Sequence, residues 1–316
     1  MSRPLYDASP ESVGGPLPCP PLPAAIASFG AVTHHGSVYV CGGYRGVRHA
    51  YSADMVSGAL HRLPVAGGTA WEELPSVDPA QGAPLVAAGD ALYRVGGMAA
   101  RNPPGQPSDL HSKAGVHRFD LLQRAWTEIR PLPAARSSHD ACVVGDDLYV
   151  AGGWRLSGNA SKGEWHDRLL RLRWGEPHAA WEPIAQPFRR RALAVASWGD
   201  EVWCLGGIDD EGDPSGAVDI FQTRTGKWSK GPELPDWPMR GFGCSAIAHE
   251  GQLFVSGMKG DLCVPSSDRG SWHVVATLRH ARFFHQLVPA GPGELWAIAG
   301  EDSDGKRADV EVVRVG

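Results

Sequence analysis

Apolar residues in this chain fall into short runs that recur in groups of four, separated by turn residues. Between 136 and 185 the runs are 138–144, 147–151, 169–174 and 181–184. Runs of this length, bounded by Gly and Asp, predict strands rather than helices. The first two runs of a group are joined by tight turns such as Gly89-Asp90, Gly145-Asp146-Asp147 and Gly199-Asp200, which are hairpin signals. The second run of each group carries a recurrent phrase: Val38-Tyr39-Val40-Cys41-Gly42-Gly43, Leu92-Tyr93-Arg94-Val95-Gly96-Gly97, Leu148-Tyr149-Val150-Ala151-Gly152-Gly153 and Val202-Trp203-Cys204-Leu205-Gly206-Gly207. Two degraded copies follow, Leu253-Phe254-Val255-Ser256-Gly257-Met258 and Leu295-Trp296-Ala297-Ile298-Ala299-Gly300. A tryptophan opens the fourth run in five groups: Trp71, Trp126, Trp181, Trp228 and Trp272.

Self-similarity at a period of roughly 50 residues marks a repeat architecture. Four strands per period describe the blades of an all-β, six-bladed β-propeller. The repeats run from end to end, so one domain covers 1–316, with blade cores near 26–75, 80–132, 136–185, 190–234, 241–278 and 282–316. The last group ends after its third run. The segment 3–18 is therefore expected to supply the missing outer strand, closing the ring and covering edges that would otherwise pair with other chains.

Composition narrows the function. A hydrophobic content of 42% supports a real core. A net charge of −5 argues against a nucleic-acid partner, which needs a basic face. No apolar run reaches the roughly 18 residues of a membrane span, and the polar start of the chain lacks a leader's apolar stretch. A cytoplasmic monomer is expected. The six cysteines form no C-x-x-C pair and read as free thiols. The richness in Ala, Gly, Pro and Arg suits a bacterial source.

With the aromatic-to-diglycine phrase, the downstream tryptophan, and the openings Arg136-Ser137-Ser138-His139 and Arg282-Phe283-Phe284-His285, the chain resembles the Kelch-repeat family over essentially its whole length. The resemblance implies a propeller whose loops before each first strand and after each diglycine share one face, around a central pocket. Counted on that frame, the rim positions are Ile26, Ala80, Arg136, Arg190, Gly241 beside Arg240, and Arg282, with Arg191, Arg45 and Arg155 near them. Arginines offer a rigid fork of donors to carboxylate or phosphate. The same residues belong to the family consensus, where they serve hydrogen bonding between blades. Aromatics stand beside them: Tyr44, Trp154, Phe242 and Phe283, with Trp165 and Trp237. Two long loops, 98–114 and 154–167, rise on the same face.

The resulting expectation is a binding module. It would recognise a protein, peptide or small anionic ligand through Arg136, Arg190, Arg282, Arg240, Phe242, Phe283, Trp154 and Tyr44, without a cofactor. A second reading resembles the six-bladed sialic-acid mutarotases. Arg136, Arg190 and Arg282 would then hold a carboxylate, and His139, His285, Asp209, Glu211 or Glu301 would move a proton. A third is a metal-dependent enzyme with a histidine site. His139 and His285 occupy equivalent positions in opposite repeats, but no histidine pair shows a metal site's spacing.

Overall fold

Each repeat folds into its own antiparallel sheet with the strands in chain order from the inside out. The computed structural model describes residues 19–158, 163–174 and 179–315. In the first repeat the order is Gly30–His34, Ser37–Cys41, Leu60–Pro64 and Glu72–Leu74. In the third it is Ser137–Val144, Asp147–Arg155, Arg168–Arg173 and Glu182–Ala185. The second strand is buried on both faces, as in Ser37–Cys41 and Ala91–Val95, because neighbouring sheets stack on either side of it. This explains its unbroken apolar run, where a strand with one wet face would alternate. Outer strands carry the polar residues, Glu72 and Glu73 among them.

The hydrophobic cores sit between sheets, one per interface. Tyr39, Cys41 and Leu60 of the first repeat pack on Leu85, Leu92 and Phe119 of the second. Val38, Val40 and Leu63 pack the other way, on Val288, Trp296 and Ile298 of the last repeat, so the final interface joins the two ends of the chain. Cys41, Cys142, Cys204, Cys244 and Cys263 are buried free thiols within this packing.

Backbone hydrogen bonds close the same circuit. Six residues at the entrance to the inner strands bond from each repeat to the one before. Gly82 N reaches Ser28 O at 2.7 Å, Ser138 N reaches Gly82 O at 3.0 Å, and Ala192 N reaches Ser138 O at 2.7 Å. Gly243 N to Ala192 O and Phe284 N to Gly243 O are both 2.8 Å, and Ser28 N to Phe284 O at 3.3 Å completes the loop. All six residues are left-handed, with φ between 52° and 65°. For a non-glycine residue this conformation costs about 1–2 kcal/mol. The circuit therefore holds Ser28, Ser138, Ala192 and Phe284 in strained backbone.

The diglycine has a related reason. Gly206 and Gly207 are left-handed, at φ 65° and 102°, and Gly207 N donates to Gly241 O of the next repeat at 2.9 Å. A β-carbon on Gly206 would stand 2.5 Å from that carbonyl oxygen. In the degraded fifth copy Gly257 lacks the left-handed twist, and Trp237 packs over it instead. The tryptophans of the outer strands also tie repeats together. The Trp126 indole donates to Pro75 O at 2.7 Å, Trp228 to Ala185 O at 2.8 Å, and Trp71 to Pro20 O at 2.9 Å. Pro20 thus stands to the first repeat as Pro75 stands to the second. Leu22 N bonds Ala308 O at 2.8 Å, as Leu132 N bonds Ala114 O. The last sheet contains Gln286–Gly291, Glu294–Ile298 and Val310–Arg314. The expected outer strand at 3–18 lies outside the described residues. No helix among the described residues is long and apolar enough to cross a membrane.

Candidate functional site

The inner strands surround a channel of about 230 Å³, lined by residues such as Val32, Val86, Ala141 and Val288. Its mouth is formed by the six left-handed residues, with His139, Asp140 and His285 just inside. This is the face on which the arginines were expected to converge.

Three of them do not reach it. Arg136, Arg190 and Arg282 are 2%, 2% and 0% exposed. The Arg136 guanidinium donates to Arg168 O at 3.1 Å through both terminal nitrogens. Arg190 donates to Gly206 O at 2.9 Å and pairs with buried Asp219 at 2.6 Å. Arg282 donates to Ala299 O at 3.1 Å and pairs with Asp309 at 2.8 Å and Glu311 at 3.1 Å. Each guanidinium thus bridges the second and third strands of its own blade. The backbones lie at the rim, where Arg136 O accepts from Gly97 N, but the side chains turn inward. The mutarotase reading loses its carboxylate holders by the same geometry.

Arg240 points to Glu233 at 3.1 Å. Tyr44 is buried; its hydroxyl donates to Val47 O at 2.6 Å and contacts Ala50 O, holding the 44–50 loop. Phe283 is buried beneath the Arg48 guanidinium, 5.6 Å from its ring centre, while Phe242 and Trp154 remain half-buried.

Arg191 takes a different course. Arg190 and Arg191 form a short strand pairing with Asp209 and Ile208, so their side chains leave on opposite faces. Arg190 enters the blade, whereas Arg191 stacks on Trp154 at 4.2 Å and approaches Trp165 at 5.8 Å. Its Nε meets no hydrogen-bond partner, and no carboxylate pairs with the guanidinium among the described residues. Burial lowers its pKa, partly offset by the nearby Tyr51 phenol. Burial raises the Tyr51 pKa, and this phenol interacts with both Arg191 and Glu301. Tyr51 of the first repeat and Trp154, over which Arg191 of the fourth repeat stacks, both pack against the core of Ala100, Leu110 and Leu156. Glu301 is itself committed, to Arg48 at 2.8 Å and Lys306 at 3.4 Å.

The described parts of the two long loops form a canopy. Met98–Ala100, Leu110–Ser112 and Ser157–Gly158 form a small sheet, and Trp154 pairs with Trp165 in an extension of the third blade. Ala100, Leu110 and Leu156 give the canopy its own core. Buried Asn102 donates to Tyr51 O at 2.6 Å, which fixes Tyr51 to the canopy.

His139 and His285 are both buried. Burial, then the neighbouring Arg136, pushes His139 well below its usual pKa; burial, then Arg282, presses His285 to about 3. Among the described residues no group of three or more His, Cys, Asp or Glu is placed to hold a metal ion. Asp140 is a residue that motif reading missed. It is the one carboxylate in the row of inner-strand residues Gly30, Pro84, Asp140, Ala194, Ser245 and Gln286. It accepts from Val195 N at 2.8 Å and Ala141 N at 2.9 Å, and burial raises it to about 7.

A family model described as the KLHDC2/KLHL20/DRC7 Kelch-repeats domain matches residues 82–300. The chain belongs to the Kelch-repeat family. Kelch-like protein terF of Aspergillus terreus is 23% identical over 75% of the chain and 50% of its own length. Human Kelch-like protein 34 is 26% identical over 55% of the chain and 29% of its own length. The chain therefore spans half or less of these two relatives. The solved structure of YjhT aligns with a TM-score of 0.73 at 18% identity, covering 94% of this chain and 99% of that one. That likeness concerns the fold. This Kelch chain is a β-propeller.

Proposed function

We propose that this Kelch module binds an anionic group, carried by a protein, a peptide or a small molecule, at the channel mouth beneath the canopy. Arg191 is the receptor for the anion. The observation that carries the reading is its guanidinium: stacked on Trp154, half-buried, and without a carboxylate among the described residues. A half-buried guanidinium with no carboxylate beside it has donors free for an anion. Trp154 holds the fork flat and Tyr51 offers a hydroxyl from the first repeat. Arg136, Arg190 and Arg282 support the frame instead of touching ligand.

The test is titration of the purified chain with citrate, inorganic phosphate and an acidic peptide, followed by tryptophan fluorescence. Arg191→Ala should weaken the binding anion by about tenfold or more, the scale of one charge-assisted hydrogen bond. Arg189→Ala is the control, because Arg189 is half exposed and already faces Asp167 and Asp210. Equal affinity of Arg191→Ala and the parent chain would remove Arg191 from the site.

A further inference from the structure

Five of the six left-handed positions at the mouth carry small side chains: Ser28, Gly82, Ser138, Ala192 and Gly243. The sixth is Phe284, at φ 52°. A bulky residue in this region is a true outlier, and glycine would satisfy the hydrogen-bond circuit with less strain. The neighbourhood is shaped around the ring. Gly243 lies beside it, and a β-carbon there would stand 3.0 Å from two Phe284 ring carbons. Phe242 meets Phe284 edge-on at 4.9 Å and 80°, with Phe283 behind at 5.0 Å. The Phe284 side chain is only half-buried and lines the mouth. Backbone strain retained at a pocket entrance is a mark of function.

We propose that Phe284 and Phe242 form an aromatic platform in this mouth, and that the ligand is an aromatic carboxylate. Its ring packs on Phe284 and its carboxylate reaches Arg191. This inference rests on the anion reading of Arg191 and adds the chemical class. Phosphate and aliphatic acids engage Arg191 alone. The aromatic carboxylate comes either as a free acid or as an aromatic side chain beside an acidic one in a peptide.

Two matched pairs test this by tryptophan fluorescence: 3-phenylpropanoate against butanoate, and a blocked Gly-Glu-Phe-Gly peptide against Gly-Glu-Ala-Gly. In the parent chain the aromatic member of one pair should bind about tenfold more tightly, and the responding pair identifies the source. Phe284→Gly should reduce that preference below about threefold while leaving the aliphatic member's affinity in place. This variant folds on the precedent of Gly82 and Gly243, which take the same left-handed conformation in the same circuit. Equal binding of aromatic and aliphatic members to the parent chain, or a preference that survives Phe284→Gly, overturns the platform and leaves Arg191 standing. Absence of binding by all four probes, or affinities untouched by Arg191→Ala, defeats the anion site and the platform with it.

Discussion

At the scale of single residues, the decisive quantity is where a side chain points relative to a known backbone. The repeat ruler located the rim backbones at 136, 190 and 282, but each guanidinium turns into its own blade toward carbonyls or carboxylates. Nothing in a single residue's identity reports that direction. Arg191 was legible as Arg190's neighbour, and the alternation of a two-residue strand gives it the opposite face. Phe284 was written inside a family motif, and its interest arises from a left-handed φ that no sequence displays. Asp140 makes a prediction of its own. Its folded pKa of about 7 lies above the ordinary carboxylate value, so its contribution favours the folded state at low pH and is lost as pH rises from about 4 to about 7. Asp140→Asn removes that loss. Its melting temperature relative to the parent should therefore improve steadily between pH 5 and pH 8. A pH-independent difference would mean that Asp140 ionises freely. His139, His166 and His285 act in the opposite sense. Their folded pKa values are lowered, chiefly by burial, so stability is lost as pH falls below about 6.5.

At the scale of elements, apolar runs and turn dipeptides were sufficient for the blades, since their periodicity follows from burial between stacked sheets. In the third repeat the second strand runs on to Arg155, beyond the apolar run, because Trp154 and Arg155 gain partners in Trp165 and Glu164. The canopy was read as loop because its dense Pro and Gly carry the stronger local signal. Its strands exist through contacts between two distant loops, Leu110 with Gly158 and His111 with Ser157. The diglycines are testable at this scale. Gly206→Ala combines left-handed backbone with a clash at 2.5 Å against Gly241 and should destabilise by about 3 kcal/mol or more. Gly226→Ala has a similar φ of 68° but nothing within 4 Å, and should cost about 1 kcal/mol. Urea denaturation of both variants separates the terms. Equal losses would mean that close approach between blades contributes nothing.

Across the whole molecule, interface cores and mouth hydrogen bonds join each repeat to two neighbours, with Val38 against Val288 and Ser28 N to Phe284 O making the last connection. An open stack of repeats can fray from its ends, whereas a closed one has no terminal unit. Unfolding should therefore be a single transition, with tryptophan fluorescence and far-ultraviolet circular dichroism superimposed in urea. Separate midpoints for the two signals would show that blades melt independently. The mouth circuit has a further electrical consequence. Each of its six residues gives its N–H to the repeat before and its C=O to the repeat after, so none of these six N–H groups is left for a ligand. A helix N-terminus does the reverse, adding its dipoles toward one end and attracting anions by backbone alone. The backbone of these six residues therefore offers an anion no open N–H at the entrance. On the proposed reading the side chains above the entrance choose the ligand, and exchanging Arg191 changes that choice while leaving the frame beneath in place.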